Sequence, residues 1–259
     1  MKEITPKILA GVSIATLIAV FSFLPPIPQQ YHYHNFSNDI VIFSIPNFWN
    51  VVSNVGFVLT GIWGFYVIAK WRIKSPMIKT LFSGVILTGI GSAYYHYAPN
   101  NHTLFWDRLP MTIVFTAFFS QLYAWYFSYQ TAMRIWIFGF FLGIFSVMYW
   151  QFTEELYCGD LRLYAIVQFL PILLIIIMCG LHWSENKILR LPLILTFGCY
   201  LFAKICEHYD AEIFQYTHDV SGHPIKHLAA SLATVCMVWM VQRYYKDFNR
   251  RGSSYKSND

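Results

Sequence analysis

Long apolar runs, separated by short polar segments, dominate the pattern of residues along the chain. A membrane-spanning helix needs about 20 predominantly apolar residues. By that criterion the pattern predicts eight spanning helices, over residues 8–24, 50–69, 80–98, 108–128, 135–151, 163–182, 189–207 and 223–242. No internal repeat of fixed period and no low-complexity segment interrupts this arrangement. We therefore predict an all-α polytopic membrane protein.

Composition strengthens this prediction. The chain has 259 residues, of which 56% are hydrophobic and only 12% are charged, whereas soluble domains carry about 25% charged residues. This balance excludes an ordinary soluble domain, and it excludes disorder, which goes with low hydrophobicity and high charge. Four of the five cysteines lie inside apolar runs, and none has a metal-ligand spacing. They are expected to be small packing residues rather than a disulfide framework.

Basic residues predict the orientation of the spans, because cytoplasmic loops are enriched in Lys and Arg. If the eight spans alternate, 14 of the 18 basic residues fall on one side, and the loop over residues 25–49 on the other side has none. Both termini are therefore predicted to be cytoplasmic, in a bacterial inner membrane or, alternatively, the endoplasmic reticulum. The net charge of +5 follows this asymmetry, so no nucleic-acid partner is expected.

The first span is preceded by Lys2 and Lys7, as in a secretory signal peptide. No small-residue cleavage site follows it, which favours an uncleaved anchor helix.

Three histidines are predicted at the non-cytoplasmic ends of the spans, where ionisable groups mark candidate functional sites. His223 and His227 are four residues apart on one helix face, and Pro224 suits the first turn of that helix. His96 supplies a third imidazole at the same predicted depth. Three histidines with one open position form a common catalytic zinc site. The alternative is that these side chains only pack at polar helix ends.

Asp107 and Ser92 are two further candidates at this membrane depth. Asp107 precedes an apolar run, so it is either a functional carboxylate or the N-cap of the fourth span, with Arg108 at the interface. Ser92 is either a small contact residue or a functional hydroxyl one turn below His96 on the same helix face.

Other charged residues near the same ends are given structural roles. Lys204 and Glu207 are expected to form a charge pair within the seventh span. Asp160 and Arg162, which follow Glu154 and Glu155, are expected in a hydrated loop.

In these residues the sequence resembles the alkaline ceramidase family, within the seven-span hydrolases that include adiponectin-receptor-like proteins. The resemblance covers about residues 46–242. Four ordered pieces carry it: Phe48-Trp49-Asn50 through Ser53-Asn54, Gly91-Ser92 through His96, Asp107, and Gly222-His223 through His227.

The resemblance implies an intramembrane hydrolase that cleaves the amide of ceramide-like membrane lipids into a sphingoid base and a fatty acid. It implies a Zn²⁺ ion on His96, His223 and His227. It also implies that Asp107 handles protons and that Ser92 lies near the reacting carbonyl. Calcium is not expected, because Asn47 stands where family members with a calcium site have Glu and only Asp39 is acidic in the preceding loop.

The resemblance divides the chain into a seven-helix catalytic bundle and one extra N-terminal helix. The predicted parts are an anchor helix over 1–30, a non-cytoplasmic loop over 31–49, the catalytic membrane domain over 50–243 and a basic cytoplasmic tail over 244–259.

Three alternative functions remain open from the residues alone. The same groups would catalyse hydrolysis of another lipid amide or ester. A metal-binding receptor or transporter without hydrolytic activity is a second possibility, and a b-type haem protein is a third. No protein partner is predicted.

Overall fold

A computed structural model describes residues 1–256, with side chains as far as Arg250, and it is almost wholly helical. The predicted all-α fold is confirmed; the end of the predicted tail, 257–259, lies outside the described residues. A short 3₁₀ helix over Tyr31–His34 follows the first of the α-helices. The α-helices are α1 (Ile4–Phe23), α2 (Phe48–Val52), α3 (Val55–Lys70), α4 (Pro76–Tyr97), α5 (Asn101–Tyr126), α6 (Tyr129–Glu155), α7 (Arg162–Leu181), α8 (Lys187–His208), α9 (Asp210–Thr217) and α10 (Gly222–Lys256).

Seven helical segments in the described part of the chain are long and apolar enough to cross a membrane. They are α1, α2 together with α3, α4, α6, α7, α8 and α10. The predicted multi-pass membrane protein is therefore confirmed.

Helix α5 is the eighth long helix, and its composition is less apolar because it lies inside the bundle. It packs against α4, α6 and α7, and its polar side chains face protein rather than lipid. Ser120 and Thr116 each donate to the carbonyl oxygen four residues earlier, at 2.7 and 2.9 Å. The amide oxygen of Gln121 accepts from Ser75 at 2.6 Å. Buried polar groups that are satisfied in this way cost little.

The helices run alternately between two ends of the bundle. We call the end that holds His96, His223 and His227 the histidine end, and the opposite end, which holds Lys2, the basic end. At the basic end the Thr5 hydroxyl at the beginning of α1 lies 2.9 Å from Nε2 of His182, just after α7. Helix α5 also ends there, since Asn186 donates to the carbonyl of Trp125 at 3.5 Å. Helix α5 therefore traverses the whole bundle, although it is not among the seven segments that are apolar enough to cross a membrane, whereas the sequence predicts eight spans.

Helix α1 lies at the periphery, where it packs against α7 and buries only Thr5 and Leu9. At the histidine end, Arg162 donates to the Leu24 carbonyl at 2.8 Å. Beyond this contact the chain turns inwards, and the Gln29 backbone N–H donates to Glu154 at 2.5 Å. The segment after α1 is thereby brought towards the interior of the histidine end.

Asp160 and Arg162 do not form the predicted hydrated loop. Arg162 is the first residue of α7, and Asp160 is buried. Arg162 makes an ion pair with Asp160 at 2.8 Å, and Tyr149 donates to the same carboxylate at 3.1 Å. Burial alone would raise the pKa of Asp160, but these hydrogen bonds outweigh it and hold the pKa below its ordinary value. Because its charge is satisfied by protein groups, Asp160 does not need water.

Candidate metal and catalytic site

The three predicted histidines meet at one point inside the histidine end. His96 comes from the last turn of α4, and His223 and His227 come from the first two turns of α10. One nitrogen from each ring lies within 4.8 Å of the other two, and all three side chains are buried. Pro224 is in the first turn of α10, as the sequence predicts. The structure thus joins two sequence motifs that are more than 120 residues apart into one cluster.

Two glycines allow the helices of the site to approach closely. A Cβ added at Gly91 of α4 would lie 2.0 Å from the carbonyl oxygen of Trp106 in α5. A Cβ added at Gly222 would lie 2.0 Å from the carbonyl oxygen of Cys206 in α8. Neither position can carry a side chain unless the two helices separate, so each glycine fixes the spacing of the helices beside the histidines.

Helix α2 orients the histidines through hydrogen bonds. Oγ of Ser53 lies 2.8 Å from Nδ1 of His227 and 3.2 Å from the carbonyl oxygen of Asn50. If the hydroxyl donates to that carbonyl, it accepts from the Nδ1–H of His227, which leaves Nε2 with a free lone pair. Asn47 donates to the backbone carbonyl of His96 at 2.8 Å. Two residues that flank helix α2 therefore hold His96 and His227 in place without being part of the histidine cluster.

Asp107 lies in the second turn of α5 and is not a helix cap. Helix α5 begins at Asn101, six residues before Asp107. Its N-cap is Asn100, which accepts from the backbone N–H of Thr103 at 3.0 Å, while Thr103 accepts from the backbone N–H of Asn100 at 3.1 Å. The capping alternative for Asp107 is therefore wrong, because a capping box whose N-cap is seven residues earlier starts the helix.

Ser92 and Asp107 face each other across the contact between α4 and α5. Both side chains line a cavity of about 170 Å³ that His227 also lines. The structure thus brings all five predicted site residues to one place.

An apolar chamber continues from this cavity towards the basic end. The chamber has a volume of about 110 Å³, and its lining is almost entirely apolar, with Val85, Phe118, Ile175 and Met237 in its deeper walls. Six residues line both spaces: Phe57, Thr88, Met111, Phe115, Tyr200 and Ala230. A ligand with a polar part and an alkyl part would therefore find both environments side by side.

An ion network in the cavity wall is only partly predicted by the sequence. The expected pair of Lys204 and Glu207 is present, but Glu207 also accepts from Lys226 at 2.8 Å. Lys226 in turn lies 3.2 Å from Nε2 of His223. The sequence gives one indication that Lys226 belongs to the site, because Lys226 stands between His223 and His227.

Arg108 also differs from its predicted interfacial position. It is buried, at 6% exposure, and it lines the cavity. Its position next to Asp107 in the sequence gives no sign of this, because the groups that enclose it come from distant segments.

Gly91 provides a test of the close contact between α4 and α5. We expect Gly91→Ala to lower the thermal stability of the purified protein and its catalytic rate, because the added Cβ forces α4 away from α5 and so Ser92 from Asp107. Gly198→Ala is the matched control, since no atom lies within 4 Å of an added Cβ there. Unfolding temperatures in detergent that are equal for the two variants would show that the contact tolerates a methyl group.

The fold and this site define a polytopic helical membrane protein with a buried cluster of imidazoles, a carboxylate and a hydroxyl beside an apolar chamber. The family model described as Ceramidase matches residues 34–255, which is most of the chain. The chain therefore belongs to the ceramidase family, a family of hydrolases. No curated protein gives a significant match to it.

Proposed function

We propose that the protein is a zinc-dependent hydrolase that cleaves the amide bond of ceramide-like membrane lipids to a sphingoid base and a fatty acid. One observation carries the proposal: the three-histidine cluster adjoins a cavity that also contains Ser92 and Asp107 and continues into an apolar chamber. Membership of the ceramidase family supports the same reaction.

The donor groups fit a zinc ion. Nδ1 of His96 is buried and has no hydrogen-bond partner within the described residues. A nitrogen that binds a metal ion would not need such a partner. Nε2 of His227 is left free when Ser53 accepts from Nδ1, and partners of this kind fix the orientation of ligating histidines. A bond from Nε2 of His223 to the ion would release Lys226, which keeps Glu207 as its partner. Zinc held here would supply a Lewis acid and lower the pKa of water towards about 7.

Asp107 is the proposed general base and acid. Its carboxylate lines the cavity beside Ser92, where it can accept a proton from the attacking water and pass it to the amide nitrogen. The nitrogen must be protonated because an amine leaves poorly as an anion. Asp107 can do this because α5 already has its own cap, so the carboxylate is free of a structural task at the helix beginning.

Ser92 is the proposed hydrogen-bond donor to the oxygen of the reacting carbonyl. As the amide carbon becomes tetrahedral, negative charge develops on that oxygen, and a fixed hydroxyl stabilises it. One such donor is typically worth about 3 kcal/mol of transition-state stabilisation. The close approach of α4 and α5 at Gly91 keeps this hydroxyl in place.

The apolar chamber is the proposed site for an alkyl chain of the lipid. Its wall is almost free of polar groups, so an alkyl chain that enters it from the bilayer exchanges one apolar environment for another, and no polar atom is desolvated. The amide would then lie in the polar cavity, next to Ser92 and Asp107. The basic end, which is opposite, is proposed to face the cytoplasm, so that the reaction takes place at the non-cytoplasmic side, in a bacterial inner membrane.

The proposal is tested by incubating purified zinc-loaded protein with ceramide in water enriched in ¹⁸O. We expect a free sphingoid base and a fatty acid that carries one ¹⁸O atom, both identified by mass spectrometry. A second substrate, with the same alkyl chains but an ester in place of the amide, tests whether the protein is an esterase instead. Cleavage of the ester but not the amide would contradict the proposed substrate, and cleavage of neither would favour the receptor alternative.

A further inference from the structure

Arg108 is a buried cation that the proposed chemistry does not use. Its Nη2 donates to the side-chain oxygen of Gln29 at 2.6 Å. Its Nη1 is buried and has no hydrogen-bond partner among the described residues, nor does Arg108 form a salt bridge among them. A buried charged donor without a partner is costly, so this arrangement calls for an acceptor that arrives with a ligand.

The guanidinium is fixed by rings around it. Its central carbon lies 4.3 Å from the ring centroid of Trp150, 5.0 Å from that of Tyr164 and 5.6 Å from that of Tyr33. Aromatic rings interact with a guanidinium through its faces, which leaves the N–H groups at its edge available for hydrogen bonds. Because Gln29 and the rings already hold the group in one orientation, a ligand would bind to it without having to order it first.

Arg108 lines the same cavity as Ser92, Asp107 and His227, so a lipid bound at those residues would lie against the Arg108 side chain. Arginine has only donors, so the group that it binds must be an acceptor oxygen. In a ceramide, the hydroxyl oxygens on either side of the amide-bearing carbon are each separated from the nitrogen by two carbons. Because Asp107 and Arg108 line the same cavity, a lipid whose amide nitrogen lies beside Asp107 would bring one of these hydroxyl oxygens towards Arg108.

We propose that Arg108 binds a hydroxyl oxygen of the lipid's polar headgroup through its unpartnered Nη1 and thereby selects hydroxyl-bearing substrates. This inference rests on the proposed amide hydrolysis and adds the group that recognises the headgroup. Gln29 is then a positioning residue, since it holds the guanidinium without touching the lipid.

The test compares kcat/KM of the zinc-loaded protein for three substrates with the same acyl chain: a ceramide, its 1-deoxy analogue and its 3-deoxy analogue. We expect the parent enzyme to prefer the full ceramide over one analogue by about 10- to 100-fold, the range for a hydrogen bond to a charged donor. The disfavoured analogue identifies which hydroxyl is bound. In Arg108→Gln this ratio should fall to near one, whatever the absolute rates.

Arg162→Gln is the matched control, because Arg162 lies at the same end but pairs with Asp160 outside the cavity; its substrate ratio should equal that of the parent. Gln29→Ala provides a second variant if Arg108→Gln fails to fold. It keeps Arg108 but should lower the preference for ceramide over the disfavoured analogue. Ratios in Arg108→Gln and Gln29→Ala that equal the ratio of the parent would overturn the role of Arg108. A parent enzyme that cleaves none of the three substrates would overturn the proposed function, and this inference with it.

Discussion

Replacement of His227 by alanine should remove zinc from the protein. The purified parent is expected to hold about one zinc per chain, and His227→Ala should hold almost none and lose its hydrolytic activity. The reason is geometric: the three imidazoles lie within 4.8 Å of one another, and two neutral nitrogens alone bind zinc far more weakly than three. Metal content after dialysis, measured by mass spectrometry, checks this result.

Two further variants sharpen the zinc experiment. His102→Ala is the matched control, because His102 is exposed at the same end of the bundle, and it should keep its zinc. Ser53→Ala removes the hydrogen-bond partner of Nδ1 of His227, and we expect zinc affinity to fall by about 10- to 100-fold. Full zinc occupancy in His227→Ala would exclude the three-histidine site.

Asp107→Asn should keep zinc and the fold but lose nearly all turnover. Asparagine has the same size, but it cannot take a proton from water. Loss of general acid–base catalysis typically lowers the rate by about 10²–10⁴. The beginning of α5 is unaffected, since Asn100 and Thr103 cap it. Steady-state rates on ceramide, together with zinc content and unfolding temperature, check the three parts of this prediction.

Asp39→Asn is the control for Asp107→Asn, because Asp39 is exposed outside the cavity at the same end. It should turn over ceramide at the rate of the parent. If Asp107→Asn did so too, the general base would be another group, and Glu207 is the other carboxylate that lines the cavity.

The sequence predicts the long helices and the pair of His223 and His227 because both depend on local patterns. Apolar runs define the helices, and the four-residue spacing of His223 and His227 places both rings on one face. The beginning of α5 cannot be found in this way, because the polar residues over 100–103 look like a loop, although two of them form the capping box. Asp107 is therefore open to interpretation as a cap until the helix boundary is known.

Contacts between distant segments cannot be predicted from such patterns. The partner of Lys226 comes from α8, and the partner of Arg108 comes from the segment after α1, 79 residues earlier. When its partner is unknown, a charged residue near the end of an apolar run is assigned to the membrane interface. The packing of the helices shows instead that Arg108 and Lys226 are part of the cavity wall.

The hydrogen bond between Gln29 and Arg108 bears on how far the chain can be shortened before it loses function. The family match begins at residue 34, and α1 lies at the periphery, so a shortened chain starting near that residue would keep the whole matched region. Such a chain would lack Gln29 and would leave the Arg108 side chain with a second unsatisfied donor. If Arg108 binds the lipid as proposed, we expect the shortest active chain to begin upstream of residue 29 rather than where the family match begins.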